Sequence, residues 1–269
     1  MSFLRVSLVQ AETIWHDAAA NRELYGRLIA PLAGKSDLVV LPETFTSGFS
    51  NDAVSDAEDM NGPSVAWMRE QARGLGAVLT GSVVIRQAGA VFNRLLWAQP
   101  DDRLQHYDKR HLFRMAGEHQ RYAQGRARPL FQLGDWRILP QVCYDLRFPV
   151  FSRNRVGSAG RELEYDLMLY VANWPAPRRQ HWRTLLRARA IENLAWCIGV
   201  NRAGADGNGI AYAGDSAVID FLGEPLVELG PAAQVVTTVL SRDALLAHRD
   251  RFPAQRDADS FELGEDQNP

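Results

Sequence analysis

The sequence predicts a mixed α/β domain, and three observations carry this prediction. Short apolar segments of strand length recur along the chain, helical patterns separate some of them, and other strands follow one another directly. Such an order indicates a mixed sheet or two packed sheets. The 269 residues are 46% hydrophobic and 23% charged, as expected of a globular chain with a sizeable core.

The elements of the first half follow from their apolar patterns. Leu4, Val6 and Leu8 alternate with polar residues and predict a first strand. Residues 17–33 carry a helical pattern that Gly34 ends, and residues 37–41 form a run that is apolar after Asp37 and typical of a buried strand. The other predicted elements here are a helix over 63–73 and strands over 77–85, 90–98 and 104–107.

The second half repeats this order. Strands are predicted over 130–133, 136–143, 166–172, 198–201, 216–221, 225–229 and 234–240, with a tight turn over 204–209. Helices are predicted after Pro149 and over 178–196, where the arginines of 178–189 are expected to form a solvated or subunit-facing ion-pair face. Because no linker interrupts the chain, we predict one domain over 1–252 and a polar, acidic tail over 253–269 that is exposed or wraps a partner.

Charge and cysteine content exclude several classes of protein. The 30 basic and 32 acidic residues give a net charge of −2, which offers no global attraction for nucleic acid or an anionic membrane. No apolar run approaches membrane-spanning length, and the N-terminal residues lack a signal-peptide pattern. Two cysteines make no disulfide framework, so we expect a cytoplasmic protein in which Cys143 is a free thiol and Cys197 is packed in a strand. The six histidines show no metal-ligand spacing, and no metal or cofactor is expected.

The stretch from Leu139 to Pro149 is the first candidate for chemistry. An apolar strand ends on Cys143, and Tyr144, Asp145 and Arg147 follow before Pro149 opens a helix. A thiol at a strand-to-helix turn lies beside outward-pointing backbone N–H groups, which suits a nucleophile that attacks a carbonyl carbon. A buried structural cysteine is the alternative.

Two further strand ends carry reactive side chains. Glu43 follows the 37–41 strand, and Lys109 follows the 104–107 strand. A carboxylate, an ammonium and the Cys143 thiol at one rim of a sheet would form an acyl-transfer site. Alternatively, Glu43 pairs at a strand end and Lys109 belongs to a solvated loop, or the cysteine works with His111 or His181 as in a papain-like protease.

Several segments in a fixed order make the chain similar to the nitrilase superfamily of carbon–nitrogen hydrolases. They are Leu41–Phe45, Tyr107–Phe113, Gly117-Glu118 with Tyr122 and Gly125, Cys143–Pro149, Ala172–Pro175, Arg187–Asn193 and Gly214–Ser216. The resemblance covers nearly the whole chain and is strongest to the ω-amidase branch of the bacterial YafV type. It implies a four-layer αββα sandwich with two packed mixed β-sheets, and a homodimer or an assembly of dimers.

The same resemblance implies the catalytic residues. Glu43, Lys109 and Cys143 would form a Glu-Lys-Cys triad, with Glu118 as a supporting second glutamate. Lys109 and the backbone N–H of Tyr144 would stabilise the oxyanion. The implied reaction passes through a cysteine thioester and releases ammonia.

The implied substrates are short α-keto dicarboxylic acid monoamides, namely α-ketoglutaramate and α-ketosuccinamate. Arg147 is the candidate partner for the distal carboxylate of such a substrate, with a structural salt bridge as the alternative. Phe45, Phe113 and Trp174 are candidate pocket walls, although each also suits an ordinary core position. Other hypotheses are a superfamily hydrolase of another small amide, a nitrile or an N-carbamoyl compound, and a non-catalytic binding protein with the same fold.

Overall fold

The computed structural model describes residues 2–156 and 162–263, and two six-stranded sheets form its frame. The first sheet contains β1 (Phe3–Gln10), β2 (Leu38–Val40), β3 (Val78–Gln87), β4 (Ala90–Ala98), β5 (Leu104–Asp108) and β14 (Gln234–Ser241). The second contains β6 (Phe131–Leu133), β7 (Trp136–Val142), β8 (Leu167–Ala172), β9 (Trp196–Asn201), β12 (Ala217–Ile219) and β13 (Pro225–Glu228). A hairpin of β10 (Ala203–Ala205) and β11 (Ala211–Ala213) lies outside both sheets.

Both sheets are mixed and share one plan. Their strand orders are β14-β1-β2-β3-β4-β5 and β13-β12-β9-β8-β7-β6. In each sheet three consecutive central strands are parallel, and antiparallel strands flank them on both sides. Because parallel strands point the same way, β2 and β7 each deliver the loop that follows them to a carboxyl edge of their sheet.

The five α-helices of the described residues are α1 (Ala18–Ile29), α2 (Pro63–Leu75), α3 (Pro149–Ser152), α4 (Arg179–Asn193) and α5 (Arg242–Arg251). The N-terminus of α1 is capped by the Asp17 carboxylate, which accepts from the Ala20 amide at 2.9 Å. Pro63 occupies the first turn of α2, and Gly76 ends that helix in the left-handed conformation.

The layers follow from which faces are apolar. Alternate residues of both sheets, such as Val6 and Ile138, meet in one buried inner core between the sheets. The opposite face of the first sheet packs on α1 and α2, and the opposite face of the second sheet packs on α4. The molecule is thus a four-layer αββα sandwich, which confirms the predicted fold class.

Two helices differ from the sequence prediction. The apolar pattern predicts no helix over 242–251, yet α5 forms there with only Leu245 and Arg249 buried. The helix expected after Pro149 is α3, which is only four residues long and follows a 3₁₀ turn over Cys143–Arg147. The other predicted helices and strands are present, with shifts of a few residues at their ends.

The C-terminal tail remains a prediction. Its residues 253–263 contain one 3₁₀ turn, Ala254–Asp257, and are largely exposed, whereas residues 264–269 lie outside the described part. Among the described residues, no helix combines the length and the apolar character needed to cross a membrane.

Candidate active site

Three reactive side chains from distant segments meet between the two sheets. Glu43 lies in the loop after β2, Lys109 directly follows β5, and Cys143 directly follows β7. The Lys109 Nζ atom lies 2.9 Å from Glu43 Oε1 and 3.0 Å from Glu118 Oε1. The Cys143 thiol interacts with all three of these charged groups. The four predicted catalytic side chains therefore form one cluster.

The three charged members of this cluster are shielded from water. Lys109 is 1% exposed, and Glu43 and Glu118 are both fully buried. Charged groups in such surroundings are retained when they are paired and hydrogen-bonded, and here one ammonium bridges two carboxylates. The two glutamates and the lysine are thus held at fixed positions relative to the thiol.

Cys143 occupies a strained backbone position at the end of β7. Its φ of 45° lies in the left-handed region, which non-glycine residues rarely adopt. Cys143 opens the 3₁₀ turn that follows β7, and its Sγ atom lies 3.9 Å from the Asn173 carbonyl oxygen. The residue is a free cysteine, half-buried at the wall of a cleft. The sharp turn aims the thiol at the cleft and leaves the Tyr144 amide beside it.

The charges around the thiol set its protonation state. Burial and the Glu43 carboxylate raise the pKa of the Cys143 thiol well above its ordinary value, against the pull of Lys109. Although burial disfavours the ammonium, the Glu118 and Glu43 carboxylates raise the pKa of Lys109 well above its ordinary value. Burial also raises the pKa of Glu118. The resting site therefore holds a neutral thiol beside a charged lysine.

Two asparagines that the sequence did not single out hold Glu43 in place. The Asn93 amide donates to Glu43 Oε1 at 2.8 Å, and the Asn173 backbone N–H donates to Oε2 at 2.7 Å. The Asn173 side chain also donates to the Glu43 carbonyl oxygen at 2.8 Å. The pair of polar residues Asn93 and Arg94 within the apolar pattern of β4 was the available signal for Asn93.

Asp145 joins the nucleophile turn to the lysine loop. Its buried carboxylate accepts from the Val142 amide at 2.9 Å, from Tyr107 Oη at 2.8 Å and from the His111 amide at 2.9 Å. The His111 ring nitrogen Nδ1 lies 2.7 Å from the same carboxylate. Because Tyr107 and His111 flank Lys109 in sequence, these bonds fix the position of Lys109 relative to Cys143.

A glycine lets another loop pass against the lysine segment. The Gly125 amide donates to the Lys109 carbonyl oxygen at 2.9 Å. A Cβ atom on Gly125 would lie 2.0 Å from the Asp108 carbonyl oxygen, so no other residue fits there without moving the backbone. This explains the Gly125 position in the segment that carries the resemblance.

A cleft of about 730 Å³ opens above the thiol. Of the predicted substrate-binding residues, Arg147, Trp174 and Phe113 line it, as does Tyr144. The prediction for Phe45 is wrong: this side chain is fully buried between Tyr25 and Trp67 in the outer core. The backbone turns at Thr44, whose φ is 40°, and this turn sends Phe45 away from Glu43.

The β10–β11 hairpin supplies a wall that the sequence did not predict. Asp206, Asn208, Ile210 and Tyr212 line the cleft from the tight turn and the strand that follows it. Both histidine rings contact groups other than the thiol: His111 Nδ1 lies 2.7 Å from the Asp145 carboxylate, and His181 Nδ1 lies 3.1 Å from Arg147. The Cys143 thiol instead lies within hydrogen-bonding reach of Glu43, so the described contacts do not support the cysteine–histidine protease hypothesis. Within residues 2–156 and 162–263, no cluster of three potential metal ligands is present.

Comparisons with known proteins agree with this geometry. Residues 5–248 match the family model described as carbon-nitrogen hydrolase. The chain is 47% identical to the omega-amidase YafV of Yersinia enterocolitica, over 98% of this chain and 100% of the relative. It is 30% identical to the 2-oxoglutaramate amidase of Bacillus subtilis, over 81% of this chain and 83% of the relative.

A solved structure is also similar over nearly the whole chain. The crystal structure of XC1258 from Xanthomonas campestris, a CN-hydrolase superfamily protein with an arsenic adduct in its active site, superposes with a TM-score of 0.97. The two chains are 63% identical, and the superposition covers 98% of this chain and 100% of the other.

Proposed function

Because the chain belongs to the carbon–nitrogen hydrolase family, we propose that it is an ω-amidase with Glu43, Lys109 and Cys143 as its catalytic triad. Its substrates would be short α-keto dicarboxylic acid monoamides such as α-ketoglutaramate and α-ketosuccinamate, hydrolysed to the keto acid and ammonia. The observation that carries the proposal is the buried bridge of Lys109 to Glu43 and Glu118 next to a free thiol. The names of the YafV and 2-oxoglutaramate amidase relatives support the substrate class.

In the first half of the reaction Glu43 acts as general base. It takes the Sγ proton while the sulfur forms a bond to the amide carbon, which suits a thiol whose raised pKa keeps it neutral at rest. The C–N bond then breaks as Glu43 returns the proton to the leaving nitrogen. Ammonia departs, and a thioester on Cys143 remains.

The oxyanion of each tetrahedral intermediate needs donors that are already in place. We assign this role to the Lys109 ammonium and to the Tyr144 backbone N–H. The two neighbouring carboxylates keep Lys109 protonated, and the loss of one good oxyanion donor typically costs about 3–4 kcal/mol of transition-state stabilisation. Glu118 holds the ammonium by its second hydrogen bond and is itself fixed by the Phe113 amide at 2.6 Å.

Hydrolysis of the thioester reverses these roles. Glu43 takes a proton from water, the water oxygen forms a bond to the thioester carbon, and the C–S bond breaks. The departing sulfur recovers the proton that Glu43 holds. In this scheme Arg147 binds the distal carboxylate, since a guanidinium group can donate two parallel hydrogen bonds to a carboxylate.

Ammonia release from a panel of compounds tests the proposal. The panel contains α-ketoglutaramate, α-ketosuccinamate, an uncharged short amide, a short nitrile and an N-carbamoyl amino acid. We expect efficient turnover of the two keto-acid amides and its loss in Cys143→Ala, with the thermal unfolding midpoint preserved. Cys197→Ala is the matched control, because Cys197 lies in the outer core of the second sheet and the variant should retain turnover.

Two results would contradict the proposal. Turnover that persists in Cys143→Ala would remove the nucleophile. Ammonia release from the nitrile or the carbamoyl compound, without release from the keto-acid amides, would keep the superfamily chemistry and replace the substrate class.

We also propose that the protein acts as a homodimer in the cytoplasm. The two cysteines are free, as is usual in the reducing environment of the cytosol. Ile191 on α4 is 51% exposed and Leu222 is 57% exposed, and Gly223 packs directly against Ile191. We place the contact between the subunits on this group, since neighbouring exposed apolar side chains are stabilised when a second subunit covers them.

A further inference from the structure

Two arginine side chains at the wall of the cleft lie on aromatic rings. The Arg147 guanidinium lies 4.7 Å from the centre of the Trp174 ring, and the Arg178 guanidinium lies 5.4 Å from the centre of the Phe113 ring. The Trp174 indole N–H donates to the Arg178 carbonyl oxygen at 2.9 Å, which ties the two walls together. Stacking positions a guanidinium while its N–H edge stays available to other acceptors.

Arg178 departs from the ion-pair face predicted for 178–189. Every other arginine of that stretch has an acidic partner: Arg179 pairs with Asp215, Arg183 and Arg187 pair with Glu228, and Arg189 pairs with Glu192. No ion pair within residues 2–156 and 162–263 involves Arg178 or Arg147. Arg147 instead has the His181 ring at 3.1 Å. Both cations therefore line the cleft without an acidic partner from the described chain.

Both cations line the same cleft as the nucleophile. Phe113, which carries Arg178, lies 5.0 Å from the ring of Tyr144, the residue after Cys143. Trp174, which carries Arg147, follows Asn173, whose carbonyl oxygen lies 3.9 Å from Sγ. A small substrate bound at the thiol would thus share one cleft with two guanidinium groups that come from different segments of its wall.

We propose that Arg178 determines specificity for the 2-oxo group of the substrate, an inference that rests on the proposed function. Arg147 binds the distal carboxylate, and Arg178 donates to the 2-oxo oxygen and to one carboxylate oxygen. A 2-oxo group only accepts hydrogen bonds, whereas the 2-ammonium of an amino acid brings a positive charge and only donors toward two guanidinium groups. Arg178 therefore admits 2-oxo acid amides and rejects glutamine and asparagine.

The test compares three substrates that differ only at carbon 2: α-ketoglutaramate, glutaric acid monoamide and L-glutamine. In Arg178→Gln we expect kcat/KM for α-ketoglutaramate to fall about 10–100-fold, mainly through KM, because a hydrogen bond to a charged group is lost. The loss for glutaric acid monoamide should be clearly smaller, and the preference for α-ketoglutaramate over glutamine should narrow. Arg183→Gln is the matched control: Arg183 lies outside the cleft, and its partner Glu228 keeps Arg187.

The outcomes separate this inference from the proposed function. If the unsubstituted protein does not hydrolyse α-ketoglutaramate, the proposed function fails before any variant is made. If it does, equal fold losses for α-ketoglutaramate and glutaric acid monoamide, or no loss for either, overturn the role of Arg178 alone. If Arg178→Gln lowers the thermal unfolding midpoint, Arg178→Lys serves as the second variant that tests the inference. It keeps the charge, so the preference over glutamine should largely persist while α-ketoglutaramate turnover falls; unchanged turnover overturns the inference.

Discussion

The chemistry of single residues in this site depends on a balance of charge around one sulfur atom. Glu43, Glu118 and Lys109 lie next to the thiol of the half-buried Cys143. Burial and Glu43 favour the neutral thiol, whereas Lys109 favours the thiolate. A cysteine in this setting reacts by giving its proton to a base during attack, rather than by waiting as a thiolate.

Replacing Glu43 with glutamine tests its role as the base and its effect on the pKa of Cys143. The Glu43→Gln variant lacks the base, so amide turnover should fall by at least about 10²-fold. The same change removes a negative charge beside the sulfur and leaves the positive charge of Lys109 in place, so the pKa of Cys143 should fall. Ultraviolet absorbance of the thiolate, followed against pH with the Cys143→Ala background subtracted, measures this pKa. A pKa that is unchanged or higher would contradict the assigned charge balance.

At the scale of single residues, the sequence predicted the reactive side chains but not the residues that hold them in position. Glu43 and Lys109 each follow a strand of the first sheet, and strands that run in the same direction end at one edge, so their closeness was predictable. Cys143 follows a strand of the second sheet, and the family resemblance implied that it joins them. Phe45, a candidate pocket wall that also suited a core position, follows a left-handed Thr44 and is buried in the core, and the sequence pattern does not reveal that turn. The bonds of Asn93 and Asn173 to Glu43 depend on strands brought together by the fold, which no local pattern reveals.

Among the elements, α5 shows how polar contacts can hold a helix that an apolar pattern does not predict. Arg249 of α5 is 7% exposed, and its Nη1 atom lies 2.9 Å from Asp166 Oδ1 at the start of β8. Arg137 of β7 contacts the same carboxylate at 2.9 Å, and Arg242 contacts it at 3.4 Å. Against the effect of burial, Arg137 and Arg249 lower the pKa of Asp166. The fully buried Asp166 carboxylate thus connects the start of β7 and the start of β8 to α5.

Removing this carboxylate should destabilise the fold. In Asp166→Asn the buried Arg249 loses its counter-charge, so we expect the free energy of unfolding to fall by about 3–5 kcal/mol, measured by urea denaturation. Asp37→Asn is the control and should cost much less, since its partner Arg5 is 44% exposed.

The pH dependence of this difference gives a second check. A lowered pKa means that the stability from Asp166 is present above the unfolded-state pKa of about 3.9 and is lost as pH falls through the folded-state value. The difference in the free energy of unfolding between the unsubstituted protein and Asp166→Asn should therefore become smaller below about pH 4. If this difference in the free energy of unfolding stays constant down to the pH at which the protein unfolds in acid, the role of the Asp166 charge is contradicted.

For the whole molecule, the packing of the two sheets is what assembles the site. Glu43 and Lys109 follow strands of the first sheet, whereas Cys143 and Asn173 follow strands of the second. The bonds of Asp145 to Tyr107 and His111 cross the same junction. The order of the predicted helices and strands indicated a mixed sheet or two packed sheets, and the resemblance selected the sandwich. Which side chains cross the junction depends on the relative placement of the sheets, and the strand patterns carry no information on it.

The proposed dimer makes a prediction at this scale. In solution we expect twice the chain mass of 30.1 kDa by light scattering after gel filtration. Ile191→Lys places a charge on the exposed apolar group of α4 and should shift the protein to the monomer mass while its helical signal persists, because lysine is a good helix former. Val239→Lys is the matched control, since Val239 on β14 is 50% exposed and belongs to the other sheet. A lysine side chain cannot be buried in an apolar interface without a charged partner. If Ile191→Lys keeps the dimer mass, the interface therefore lies on another face. If the unsubstituted protein is itself a monomer, the dimer proposal is wrong.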